Sequence, residues 1–170
     1  MLVNTKKVIG LHAASVILNG SAFVFLGPSG AGKSTICRLL ADYANATLLA
    51  DDKIFIAEIE SGFYVSDATD HPFAARLIDS FGALMQLDSI PLGSIVRIYQ
   101  SSSTCMESIT ALEGCCLLTK SYGELMINLK DKCACRENFA LMAKLSRVTQ
   151  MYRLNFTLFP ADLVEVFSKD

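Results

Sequence analysis

A chain of 170 residues has the length of one domain and can bury a core without metals or disulfides. Apolar residues make up 52% and mean hydropathy is +0.39, yet no apolar run approaches the length of a membrane span. A net charge of −2, a pI near 5.7 and the lack of any basic block exclude the electrostatic footprint of a nucleic-acid-binding protein.

The start, Met1-Leu2-Val3-Asn4-Thr5-Lys6-Lys7, lacks the apolar stretch and small-residue cleavage site of a signal peptide, which predicts a cytoplasmic protein. Residues 8–18 are rich in β-branched and apolar types, broken by His12-Ala13-Ala14-Ser15. Asn19-Gly20 is a hairpin signal, so residues 15–18 and 21–26 are predicted to pair as antiparallel strands. The second strand runs into Gly27-Pro28-Ser29-Gly30-Ala31-Gly32-Lys33-Ser34-Thr35, and an amphipathic segment, residues 36–43, follows.

Strand, glycine-rich loop and helix occur in the order of a P-loop, and the loop fits G-x-x-x-x-G-K-[ST] at every fixed position. Glycines let backbone N–H groups approach phosphate oxygens, and the first helical turn offers open N–H groups and a positive dipole end. Lys33 can neutralise the β- and γ-phosphates, and the Ser34 hydroxyl can ligate Mg²⁺. Residues 27–35 are therefore the predicted nucleotide-binding segment.

Ala44-Asn45 ends the helical pattern. Residues 47–50 read as a short strand running into Asp51-Asp52, residues 53–60 as another strand, Ser61-Gly62 as a turn and residues 63–65 as a return strand. Apolar residues ahead of Asp51-Asp52 resemble a Walker-B element. One carboxylate can serve the metal while the other accepts a proton from the attacking hydroxyl. His12 is the third candidate, because a shared sheet could bring it to the carboxylates for proton movement. His71, in the polar loop before Pro72, has no comparable support.

Residues 73–84 read as partly helical or irregular. Pro91-Leu92-Gly93 reads as a turn into a strand over residues 94–100. Thr104 and Glu107 have capping-box spacing, which predicts a helix with Ile109, Leu112, Cys116 and Leu117 near one face. Residues 136–150 read as a helix with Phe139, Met142, Ala143 and Leu145 as its apolar stripe. Residues 152–156 alternate as a strand, and Pro160 opens a final helix through Phe167. No linker or repeat divides the chain, so a single domain over residues 1–170 is expected.

Of the six cysteines, Cys115, Cys116, Cys133 and Cys135 could be drawn as a metal site, but their spacing departs from C-x-x-C pairs. Reduced, buried thiols acting as small hydrophobes are the expectation. Arg76, Arg97, Arg136 and Arg153 are candidates for stabilising phosphate charge.

The ordered set Leu11-His12-Ala13-Ala14, Asn19-Gly20, Gly27-Pro28-Ser29-Gly30-Ala31-Gly32-Lys33-Ser34 and Leu48-Leu49-Ala50-Asp51-Asp52 resembles the catalytic domain of HPr kinase/phosphorylase and the HPr-kinase-like serine kinases, of the phosphoenolpyruvate-carboxykinase-like P-loop class. The resemblance covers residues 8–65. It implies an α/β (mixed α+β) fold with a mixed, largely antiparallel sheet and packed helices. It further implies Mg²⁺-dependent transfer of a phosphoryl group from ATP (or GTP) to a serine hydroxyl of a protein or peptide. By position, Asp51 would be the base paired with His12, Lys33 would bind phosphate, and Ser34 and Asp52 would serve the metal, with the roles of the two aspartates exchangeable. The Arg-Gly-Leu-Gly type segment and the N-terminal domain of HPr kinase/phosphorylase are not found. The later region resembles small HPr-kinase-like proteins, some of which phosphorylate peptides. Related kinases assemble, and the apolar excess would suit a homo-oligomer interface. Two further readings stand beside this one: a non-catalytic nucleotide-binding regulator or peptide-modification accessory protein, and another P-loop small-molecule kinase.

Overall fold

The computed structural model describes residues 7–59, 62–68, 89–125 and 132–168. The predicted irregular segment over residues 73–84, together with His71 and Arg76, lies outside the described residues. Nine strands are described: β1 (Lys7–His12), β2 (Ala14–Leu18), β3 (Ser21–Leu26), β4 (Thr47–Ala50), β5 (Lys53–Ile59), β6 (Gly62–Asp67), β7 (Ile90–Gln100), β8 (Cys105–Ser108) and β9 (Gln150–Phe156). The four described helices are α1 (Lys33–Tyr43), α2 (Ala111–Leu125), α3 (Lys132–Val148) and α4 (Pro160–Phe167).

The sheet is mixed and mostly antiparallel, as expected. Its path runs β1-β5-β6-β7-β3-β2-β4, with β9 beside β7 and β8 beside β9. The β2–β3 hairpin forms at Asn19-Gly20, both in the positive-φ region that a two-residue turn requires. Parallel pairing is confined to the centre, where β3, β7 and β9 run side by side. Their carboxyl ends therefore open on one edge, the side where ligands bind in open α/β sheets.

Alternation of side chains splits the core into two layers. Val24, Leu26 and Ile95 pack with Leu118 and Tyr122 of α2 and Leu141, Met142 and Leu145 of α3. On the opposite face Phe25, Val96, Ile98 and Phe156 pack with Ile36, Cys37 and Leu40 of α1 and Leu163 and Phe167 of α4. Phe167 meets Phe23 and Phe25 edge-on, with centroids 5.6 and 6.0 Å apart. No helix among the described residues is long and apolar enough to cross a membrane.

Several local expectations are corrected. Residues 7–12 form a separate strand, because their apolar positions are buried against β5. Strand β7 begins at Ile90 and runs through Pro91, which is exposed at a strand start. Residues 105–108 are strand β8, paired with β9, and not the start of a helix. The Thr104 hydroxyl accepts the Thr157 N–H at 3.0 Å. The capping bond is made six residues later: the Thr110 hydroxyl accepts the Glu113 N–H at 3.2 Å, again with capping-box spacing. With the helix start moved, Leu112 and Cys116 turn outward and Leu118 and Tyr122 inward. Phe139 is exposed, and Leu141 takes its expected place in the core. Of the thiols described, Cys37 alone is buried, while Cys105 and Cys116 are exposed and Cys115 is half-buried.

Candidate functional site

The strand register brings three chain junctions to one edge. Ala14 pairs with Phe25, which sets Ala13 level with Leu26 and the loop that follows it. β1 pairs with β5 up to His12 and Lys53, while β2 pairs with β4 up to Ser15 and Ala50. The β1–β2 junction at His12-Ala13 must therefore face the β4–β5 turn at Asp51-Asp52. A backbone bond from Ala13 N–H to the Asp52 carbonyl, 3.1 Å, closes the two junctions on each other.

The glycine-rich loop forms the floor. Gly30 and Gly32 have φ of 78° and 97°, a region that L side chains rarely adopt. At Gly32 a Cβ would also stand 3.0 Å from Phe156 Cζ and 3.2 Å from Gln100 Nε2, so space and dihedral both require glycine. Gly32 is the N-cap of α1, and the Ile36 N–H to Gly32 carbonyl bond is the first of the helix. No side chain caps α1, and its first turn holds no acidic residue. The N–H groups of Lys33, Ser34 and Thr35 thus lack intrahelical acceptors at the positive end of the helix dipole.

Lys33 is buried and bends back over the loop, donating to the carbonyls of Gly27 at 2.8 Å and Pro28 at 3.2 Å. Burial lowers its pKa from the ordinary lysine value. Glu124 and Asp52, and more weakly Asp51, oppose that shift, while Arg97 adds to it. An anion brought to this ammonium would relieve the desolvation.

The His12 ring lies between two carboxylates. Its Nε2 is 3.3 Å from Asp52 Oδ1, and its Nδ1 is 3.4 Å from Glu124 Oε2. Ser121, one turn before Glu124 on α2, donates its hydroxyl to the His12 carbonyl at 3.0 Å. Lys53 Nζ stands 3.9 Å from Asp52 Oδ2. The carboxylate beside His12 is thus Asp52, whereas the resemblance pairs Asp51 with His12. Asp51 lies toward α1, where it raises the pKa of Cys37 as the second cause after burial, which together push the thiol up to about 12.

His12, Ser29, Gly30, Gly32, Lys33, Ser34, Thr35, Asp51 and Asp52 line one cleft of about 310 Å³, with Gln100 at the end of β7. Such a volume falls at the lower end of the range for small-ligand pockets. Gly27 joins the cleft through its carbonyl, which accepts from Lys33, and Pro28 and Ala31 complete the loop through the Ala31 N–H to Pro28 carbonyl bond of 3.1 Å. No group of three or more His, Cys, Asp or Glu side chains among the described residues could hold a metal ion alone. Ser34 with one aspartate is the sparser set that suits Mg²⁺, which binds through one or two protein groups, substrate phosphates and water.

Glu124 and Gln100 carried no motif in the sequence. Thr110-x-x-Glu113 was the one legible signal for α2, because it sets the helix phase and hence the side on which Ser121 and Glu124 fall. Of the candidate arginines described, Arg153 pairs with Glu113, Arg136 is exposed on α3, and Arg97 lies within the field of Lys33.

No curated protein matches this chain. Among solved structures it is similar to the Hpr(Ser) kinase/phosphatase from Coxiella burnetii, with 13% identity and a TM-score of 0.40 over 59% of this chain and 72% of that one. The family model that matches spans residues 2–161, nearly the whole chain, and by it the chain belongs to the family described as SynChlorMet cassette protein ScmC.

Proposed function

We propose that this protein is a Mg²⁺-dependent phosphotransferase that moves the terminal phosphate of ATP (or GTP) to a hydroxyl group. The observation that carries the reading is the meeting of Lys33 and the open first turn of α1 with the His12–Asp52 pair in one cleft. A phosphate-binding loop alone would account for binding. A carboxylate held against an imidazole at its rim supplies a place for the proton that a hydroxyl must lose.

Loop amides and Lys33 would bind the phosphate chain and draw charge away from the leaving oxygen. Ser34 and Asp51 would hold Mg²⁺, which when bound supplies charge neutralisation between the phosphates. The acceptor oxygen would form its bond to the γ-phosphorus as the bond from that phosphorus to the β–γ bridging oxygen breaks. The nucleoside diphosphate is released, and the hydroxyl proton passes to Asp52. His12, fixed by Glu124, orients Asp52 and tempers its charge. This assignment exchanges the two aspartates relative to the resemblance, and geometry supports it, because His12 faces Asp52.

A serine hydroxyl in a protein or peptide is the acceptor that the sequence resemblance to HPr-kinase-like serine kinases supports. Incubation with Mg²⁺, labelled ATP and a panel of serine-containing peptides and proteins tests the reading. Label is expected in an acceptor with wild-type protein and none with Lys33→Ala. Tight nucleotide binding without transfer to any acceptor would favour the regulator reading. Transfer that persists in Lys33→Ala would remove the cleft from the chemistry.

A further inference from the structure

Like Lys53, which stands against Asp52, Arg97 is a cation near the cleft that the proposed mechanism leaves unused. It pairs in register with Leu26, the residue before the glycine-rich loop, so its backbone lies beside the start of that loop. Its neighbour Ile98 comes to within 3.3 Å of where a Cβ on Gly27 would sit. Alternation along β7 puts Ile95 in the layer under α2 and Val96 and Ile98 in the opposite one, so Arg97 lies on the α2 side, the side of His12 and Glu124.

The guanidinium of the half-buried Arg97 is unsatisfied at one nitrogen. Its Nε is buried with no hydrogen-bond partner among the described residues, and none of their ion pairs includes it. Its one described contact is the Tyr99 ring, with the guanidinium carbon 5.1 Å from the centroid. That contact steers the planar group without neutralising it. Arg153, the next cation along the row, is paired with Glu113. A buried donor atom without an acceptor is costly, and a ligand oxygen would supply the acceptor that the half-buried Arg97 lacks at Nε. Lys33, a few residues away in space, feels this charge as a repulsion. Arg97 does not line the cleft itself, but two cations on neighbouring elements that feel each other are a complement to an oxyanion carrying more than one negative charge.

We propose that Arg97 binds the terminal phosphate of the nucleotide, completing with Lys33 a two-cation clamp. The inference rests on reading the cleft as a nucleotide site. It goes beyond that reading in assigning recognition of the third phosphate to a residue of the central strand. An arginine suits this task because its fork can take two phosphate oxygens at once, which a lysine cannot.

Titration calorimetry with Mg²⁺ and either a non-hydrolysable ATP analogue or ADP tests it on wild type, Arg97→Gln, Arg97→Lys and Lys33→Ala. The analogue is expected to bind about tenfold more weakly to Arg97→Gln, with ADP changed by less than about twofold and Arg97→Lys intermediate. Without ligand, Arg97→Met is expected to melt about 2–4 °C above wild type, since a buried donor without an acceptor is removed. An arginine with a purely structural role would give the reverse. Equal loss of both nucleotides in Arg97→Gln, or no loss of either, overturns the proposal. If Lys33→Ala loses both nucleotides while Arg97→Gln loses neither, the nucleotide site stands and the clamp falls. If wild type binds neither nucleotide, both fall.

Discussion

The two halves of the cleft are built in opposite ways. The glycine-rich loop is continuous in the chain, and nine consecutive residues, 27–35, carry its geometry and its charge. The His12–Asp52–Glu124 side is assembled from three elements, with Glu124 112 residues after His12 in number but 3.4 Å from its ring. A local motif is set by backbone dihedrals and a helix end, so its function survives modest shifts in packing. A tertiary constellation depends on strand register and on the phase of a helix, so it fails when either slips. The loop half should then govern whether phosphate binds, and the assembled half whether it moves.

That contrast can be broken at either side. The largest effect is expected at Lys33. Lys33→Met removes the buried ammonium from the proposed phosphate site, which should cost about 2–5 kcal/mol of nucleotide affinity, roughly 30-fold or more in Kd. The same change should stabilise the ligand-free protein, because burial disfavours the charged form. The sign is fixed by the lowered pKa: the folded state binds fewer protons than the unfolded one as pH approaches the ordinary lysine value, so wild-type stability rises with pH in that window and Lys33→Met should lack the rise. Calorimetric titration and thermal melts against pH check both parts. A variant that binds nucleotide normally would dissolve the division between the two halves.

A smaller effect is expected at the assembled side. Glu124→Gln should slow transfer by about tenfold with little change in nucleotide affinity. In a His12→Asn background the same substitution should add nothing, because its action runs through the ring. Additive losses would mean that Glu124 acts elsewhere. At the next level down, Thr110→Ala removes the capping bond of α2 and should cost about 1 kcal/mol of stability in denaturant titration.

The last effect concerns the core layer under α1. Cys37 has a thiol pushed up from 9.0 to about 12 by burial and then by Asp51. Between those values the unfolded thiol ionises and the folded one does not, so the folded state holds more protons and stability falls as pH rises. The slope attributable to Cys37 reaches at most about 1.4 kcal/mol per pH unit. Unfolding titrations from pH 8 to 10 should fall more steeply in wild type than in Cys37→Ala.

Much of the fold could be read from local signals. Asn19-Gly20 set the β2–β3 register, the loop marked the end of β3, and alternation gave β5 and β9. The hairpin even set Ala13 level with Leu26, which brings His12 to the loop that follows. What could not be read were the contacts between distant segments. Residues 105–108 carry a helix-start pattern, yet an open edge of β9 recruits them as a strand. Glu124 and Gln100 have no motif, because their positions follow from the phase of α2 and the length of β7. Which aspartate faces His12 was open for the same reason: adjacent residues at a turn point apart, and only the Ala13–Asp52 backbone bond decides between them.

The measurement closest to the central claim compares single-turnover transfer of labelled γ-phosphate by wild type, Asp51→Asn and Asp52→Asn, with Mg²⁺ saturating and nucleotide binding measured alongside. With Asp52 as the proton acceptor, Asp52→Asn should lose about 10²–10⁴-fold in transfer rate while nucleotide affinity stays within about threefold. Asp51→Asn should instead raise the Mg²⁺ concentration needed for half-maximal rate. Transfer at the wild-type rate in Asp52→Asn would contradict the account.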